Sequence, residues 1–331
     1  MSRSFYFLSS FTQHIVDGAA SASSHHSSFF SPNNPSVYQP LESQLILPDA
    51  AHCIAVRAYL RLADIPFNVV EIDNCHDASP SGTVPFIVAD KETLAVAEWK
   101  PIITWGHMNY GVKNGGGQQQ QQQQQQQQND PLNADVAIWS DAIEKPVHLA
   151  ELETTFVCEE NYQQYAFPRI GSANSWPLSW AIPKRRRNKA LEELEASVGS
   201  FGLSTSSGQS AVLDNFEKAL TAAEIRLTRG KGDNWLASPV EVGPTEADCL
   251  LYGHLRAILD NKLPRDDIRD AVRAKPVLVQ YCNRFADYLE QKADGRIKST
   301  TERPASDHVV VGNGQLKTIA FNTDQPKGAN H

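Results

Sequence analysis

The chain has 331 residues with 30 Lys and Arg against 38 Asp and Glu, a net charge of −8. It is long enough for two domains with real cores and too acidic to give a nucleic-acid role electrostatic support. Five scattered cysteines (Cys53, Cys75, Cys158, Cys249, Cys282) without a CxxC pair argue against a disulfide framework and point to a cytosol-facing protein. His52-Cys53 and Cys75-His76 have no second pair at metal-site spacing, so no metal is expected. No run approaches the ~18 to 20 apolar residues that span a bilayer.

The N-terminal segment, residues 1–35, reads as disordered, because Gly18 to Asn34 is rich in Ser, Ala and His and has no period. Its Met1-Ser2-Arg3-Ser4-Phe5-Tyr6-Phe7-Leu8 start is too brief and too weakly charged for a signal, a mitochondrial presequence being the alternative. Leu45-Ile46-Leu47 and Phe67 to Ile72 are strand-like runs, and Ala51, Ile54, Ala55, Ala58, Tyr59 and Leu62 recur between them at helical spacing. In Ser79-Pro80-Ser81-Gly82-Thr83-Val84-Pro85-Phe86, a proline stands where a strand should begin and can supply no ladder N–H. This resembles a thioredoxin-type cis-proline corner with Pro85 in a structural role; a trans proline in an ordinary edge loop is the alternative. Phe86-Ile87-Val88, a turn at Ala89-Asp90-Lys91-Glu92, Leu94-Ala95-Val96 and a helix opening near Pro101 complete a β-α-β, β-β-α order over residues 36–112.

Gly115 to Gly117 and the glutamines from Gln118 to Gln128 mark residues 113–131 as a linker, read as a tolerated surface insertion. Residues 132–297 then read as all-helical: Ala134 to Phe156, a stripe from Val212 to Leu227, and another from Leu278 to Leu289 beginning after Pro276. Lys184-Arg185-Arg186-Arg187 reads as the solvated first turn of a helix, with an acidic partner or anionic lipid headgroups as the alternative contact. Pro244-Thr245-Glu246-Ala247-Asp248 is the best helix start in the chain, a capping box in which Thr245 and Asp248 exchange hydrogen bonds ahead of a buried central helix. Ser204 to Gln209 and residues 298–331 lack periodicity and read as loop and disordered tail.

The words Leu45-Ile46-Leu47-Pro48-Asp49-Ala50-Ala51, Ser79 to Ile87, Ser175-Trp176-Pro177-Leu178 and Pro244 to Asp248 running into Tyr252-Gly253-His254-Leu255 resemble the metaxin family, within the glutathione transferase-like superfamily. Val37-Tyr38-Gln39-Pro40-Leu41 and the lack of a C-terminal anchor look like its metaxin-2 branch. The resemblance implies an α+β fold, a thioredoxin-like domain followed by an all-α transferase C-terminal-like domain. It also implies a noncatalytic adaptor at the cytosolic face of the mitochondrial outer membrane, attached peripherally. Its implied partners are a metaxin-1-like protein, the β-barrel core of the sorting and assembly machinery and, as a further implication, motor adaptors.

Transferase chemistry needs a Tyr, Ser or Cys near the start of the first helix. Matched to a thioredoxin-type C-x-x-C, Ala50 takes the nucleophile position and Cys53 the resolving one, so no catalytic residue is expected. Cys53 is the candidate of the rival reading, an atypical glutathione-dependent transferase or thiol enzyme. Glu98-Trp99 stands where the superfamily has Glu-Ser, leaving Val84, Pro85 and Glu98 as a vestigial glutathione-like site with no cofactor. Trp176, Pro177, Leu178 and Trp180 form a candidate interaction surface towards the metaxin-1-like partner, with buried packing as the alternative, and Trp235-Leu236 is a second such word.

Overall fold

The computed structural model describes residues 34–89, 95–110, 131–198, 206–229, 235–239, 243–299, 308–312 and 315–317. The glutamine tract, the Asp90 to Glu92 turn and most of the N-terminal segment lie outside these residues. Strand β1 (Ser36–Pro40) and strand β2 (Asn68–Ile72) run parallel, with Ser36 opposite Asn68 and Pro40 opposite Ile72. Helix α1 (Leu47–Leu62) crosses between them, and the four-residue helix α2 (Cys75–Ala78) follows β2. On the other side of β1 lies β3 (Phe86–Val88), antiparallel to it, then β4 (Ala95–Ala97), and α3 (Trp99–Tyr110) closes the unit. The Val84-Pro85 bond is cis.

Two sequence expectations are corrected here. Leu45-Ile46-Leu47 is no strand: Ile46 is the extended residue before α1, and Leu47 opens the helix with Pro48 in its first turn. Three apolar residues in a row carry no period that could separate the two. The first strand is the Val37-Tyr38-Gln39 stretch just before. In the tail, β5 (His308–Gly312) pairs parallel with β2, and β6 (Gln315–Lys317) turns back antiparallel on β5, giving the sheet order β4-β3-β1-β2-β5-β6. Val309-Val310-Val311 has the β-branched content for a strand but is too short for a legible alternation.

The second half is helical. Helix α4 (Pro131–Leu152) passes through a wide turn at Glu153–Val157, a single helical turn α5 (Glu159–Asn161) and a second wide turn at Tyr162–Ala166 into α6 (Phe167–Gly171). Buried Asn161 pins this irregular stretch, donating to the carbonyls of Thr154 and Arg265, both at 2.9 Å, and accepting the Arg265 N–H at 2.7 Å. Helix α7 (Leu178–Val198) starts two turns before Lys184, so the basic cluster is not its first turn. Pro183 inside α7 leaves the Ser179 carbonyl without its helical donor. Gly171 fits against that oxygen, where a β-carbon would stand 2.5 Å away. Helix α8 (Ser206–Thr228) starts inside the stretch expected to be loop.

Helix α9 (Glu246–Asp260) is the centre of the helical half, with α10 (Asp267–Arg273) and α11 (Pro276–Ser299) around it. Thr245 is its N-cap, and the capping box with Asp248 is formed. The fully buried Asp248 carboxylate accepts the Thr245 N–H at 2.8 Å and hydroxyl at 2.9 Å on one oxygen, and the Leu236 N–H and Tyr281 hydroxyl, both at 2.7 Å, on the other. It therefore ties the helix start to the 235–239 segment and to α11. Trp235 sits there as core, its ring against Tyr281, Phe285 and Tyr288, so the Trp235-Leu236 word is packing rather than interface.

Thr245→Ala removes one of the four donors and should cost about 1 kcal/mol. Asp248→Ala strands all of them and should cost about 3 to 5 kcal/mol. Urea unfolding of both variants checks the ranking, and equal losses would remove Asp248 as the hub.

Candidate functional site

Where the two halves meet, the N-terminal end of α1, the cis-proline loop and helices α4 and α7 enclose a cleft of about 640 Å³. Its floor holds Thr83, Val84, Glu98 and Trp99; Pro48, Asp49, His52 and His76 form one wall, and His148, Arg185, Arg186, Lys189 and Glu193 the other. Val84 and Glu98 thus meet in one cavity, with Pro85 fixing the loop behind Val84. Glu98 has a positive φ of 73°, which turns the chain into α3, and its carbonyl accepts the Ile102 N–H. Buried Trp99 lines the cleft beside Glu98.

At the N-terminal end of α1 the cleft is lined by the protein's own carboxylate. Asp49, in the first turn of α1, receives Arg186 across both oxygens at 3.1 and 2.9 Å, and His76 Nε2 stands 3.2 Å away. A carboxylate at a helix N-terminus is favoured by the helix dipole, and the Arg186 contact ties α7 to α1 across the domain boundary. Burial first, and the Arg186 charge second, hold His76 down to about 4.

Beneath the cleft lies a second polar group. His254 Nδ1 is 2.8 Å from Glu151 Oε1, and both side chains are fully enclosed. The His52 ring packs edge-on against those of His148 and His254, at 5.2 and 5.5 Å, and its Nδ1 is 3.1 Å from the Pro48 carbonyl, which fixes that nitrogen as the donor. Desolvation pulls His52 and His254 down to about 3 and pushes Glu151 well above the ordinary carboxylate range, so Glu151 and His254 share their proton as a neutral couple. His148 goes the other way: burial lowers it, but the hydrogen bond to Glu193 and the surrounding carboxylates outweigh that and raise it. Among the described residues no three His, Cys, Asp or Glu side chains converge on one metal position.

Cys53 does not reach the cleft. It is buried, and desolvation, with Asp49 adding to it, raises its thiol, the opposite of what an attacking thiolate requires. Cys75 is likewise buried and raised. The structure instead exposes Trp176, Leu178 and Trp180, 83, 53 and 53 % accessible, so the buried-packing alternative for this word falls away. The Trp176-Pro177 bond is cis. The Asp49–Arg186–His76 and Glu151–His254–His52 groups went unread in the sequence because their members lie on different elements; the one local trace is the i, i+3 spacing of His148 and Glu151.

A small mixed sheet with a cis-proline corner, followed by helices around a capped central α9, is the glutathione transferase-like fold, and residues 216–285 match the family model for the glutathione S-transferase C-terminal domain. Residues 53–187 match the model described as outer mitochondrial membrane transport complex protein. Human Metaxin-2 is 28 % identical over 272 residues, covering 80 % of this chain and 93 % of that one. The Metaxin-2 homolog of Caenorhabditis elegans is 29 % identical over 225 residues, covering 68 % and 87 %. Mouse Metaxin-1 is 21 % identical over 258 residues, covering 76 % and 74 %. Over two thirds or more of its length the chain is thus similar to Metaxin-2 proteins, and part of it to an outer mitochondrial membrane transport complex protein.

Two measurements check this site. His52 stays neutral in the fold yet protonates near its ordinary value once unfolded, so its contribution to stability is present above about pH 6.5 and is lost as pH falls towards 3. In His52→Gln, the pH dependence of stability between pH 6 and 4 should be flatter by about one proton; an unchanged slope would mean that His52 titrates normally. On brief exposure of the native protein to glutathione disulfide, the half-buried Cys158 should be modified before Cys53, and a fast mixed disulfide at Cys53 would restore the thiol-enzyme reading.

Proposed function

We propose that the protein is a noncatalytic subunit of a transport complex of the mitochondrial outer membrane, an adaptor on the cytosolic face that supports β-barrel protein insertion. In this reading it works beside a metaxin-1-like chain and the β-barrel core of the sorting and assembly machinery, with motor adaptors as a further class of partner. Trp176, Pro177, Leu178 and Trp180 are its outward contact surface. The matches to the outer mitochondrial membrane transport complex model and to the metaxins support the complex and the membrane. The observation that carries the adaptor role is the occupied α1 end of the cleft: Arg186 and His76 are spent on Asp49, and the Cys53 thiol is buried. The α1 end that a transferase keeps open for its substrate serves here as an interdomain tie. The rival thiol enzyme needs a reachable thiolate at Cys53, which burial and the raised thiol oppose.

Among the described residues no helix is long and apolar enough to cross a membrane, and attachment is assigned to contact with partners. Depleting the metaxin-1-like chain should move most of the protein into the cytosolic fraction, followed by fractionation and blotting. Full retention on mitochondria would overturn the partner-held model. Alkaline carbonate should strip the protein from intact mitochondria.

A further inference from the structure

We infer that the ledge made by Trp176, Leu178, Trp180 and Lys184 seats the protein on an anionic phospholipid headgroup layer. The inference rests on the proposed function only for the membrane beside it. Two exposed indoles and a leucine stand together at the start of α7, and Lys184 Nζ lies 3.9 Å over the Trp180 ring. An indole with an ammonium on its face presents an apolar body and a cationic tip, the combination that partitions to the water-facing border of a bilayer.

The charge around the ledge decides the kind of surface it fits. Arg185, Arg186 and Arg187 each have a counter-ion, Asp77, Asp49 and Glu159. Among the described residues no carboxylate lies within ion-pair distance of Lys184 or Lys189. The acidic residues of α7, Glu192, Glu193 and Glu195, all fall in its second half, so the helix is cationic at the ledge end and anionic at the other. On a chain of net charge −8, such a cationic, aromatic end is the part an anionic layer attracts while repelling the rest, which sets the direction of docking. One patch of this size gives reversible, marginal binding and becomes stable attachment only together with a second contact. This is compatible with release when the partner chain is lost.

The test is co-sedimentation of the full chain with phosphatidylcholine vesicles, with and without phosphatidylserine, at low and high salt. Binding is expected to the phosphatidylserine vesicles, to fall with added salt, and to be weak on phosphatidylcholine alone. Lys184→Gln should lower it about fivefold. The double variant Trp176→Ala, Trp180→Ala should lower it about tenfold or more, with an unchanged melting temperature because both rings are exposed. No sedimentation of the wild type, or equal sedimentation of wild type and double variant, overturns the lipid assignment. So does loss of metaxin-1-like pull-down in the double variant with vesicle binding intact, which would make the ledge a protein interface. None of these results touches the fractionation test of the partner-held model, so the two ideas fail separately.

Discussion

Gly253 of α9 lies so close to α1 that a β-carbon there would stand 2.5 Å from the Ala51 carbonyl oxygen and 2.6 Å from the Ala55 β-carbon. Everything that joins the two halves depends on this approach. The meeting faces carry small residues, Ala50, Ala51, Ala55 and Ala58 on α1 and Ala247 and Gly253 on α9, so two buried helices pack with their backbones nearly in contact. The buried Asp248 cap holds the start of α9, and the same close contact places His254 beside His52 at the bottom of the cleft. The close helix packing thus fixes the bottom of the cleft, and the Asp49–Arg186 contact and Arg169 on the Glu42 and Leu45 carbonyls add polar ties between the halves.

Electrostatics then decides what the cleft is. Transferase chemistry would need a cation or helix terminus waiting for a ligand's carboxylate and an exposed nucleophile beside it. Here the first turn of α1 brings its own carboxylate, and Arg186 from the opposite wall spends its charge on it. The enclosed His52 and His254 imidazoles are held neutral by desolvation. The Asp49–Arg186 contact makes this end of the cleft a joint between α1 and α7, while Trp176, Leu178 and Trp180 at the start of α7 stand exposed.

Much of this was legible in the chain. The Val84-Pro85 corner, the α1 stripe, the Thr245-Asp248 box and the Pro276 start each depend on neighbours within a turn or two, and local sterics and hydrogen bonding fix them wherever the chain goes next. The strand at Val37 and the helix start at Leu47 were misread because a few apolar residues in a row satisfy either period, and only pairing with β2 and β3 decides between them. The tail strands depend on the open edge of β2, which no local pattern announces.

Side-chain exposure divides the same way. Trp235 and Trp176 sit in similar short aromatic words, yet one is core and the other faces solvent, because burial depends on which helices close over a residue. The sequence by itself determined the cis-proline corner, the capped central helix and the alanine at position 50, since these depend on residue identity and short-range spacing. Only the tertiary structure decided that Cys53 is sealed, that Asp49 meets Arg186 across 137 positions, and that the tryptophans of α7 stand outside. Those outcomes come from chain segments far apart in sequence being brought within a few ångströms, where desolvation and Coulomb attraction become strong enough to choose between them.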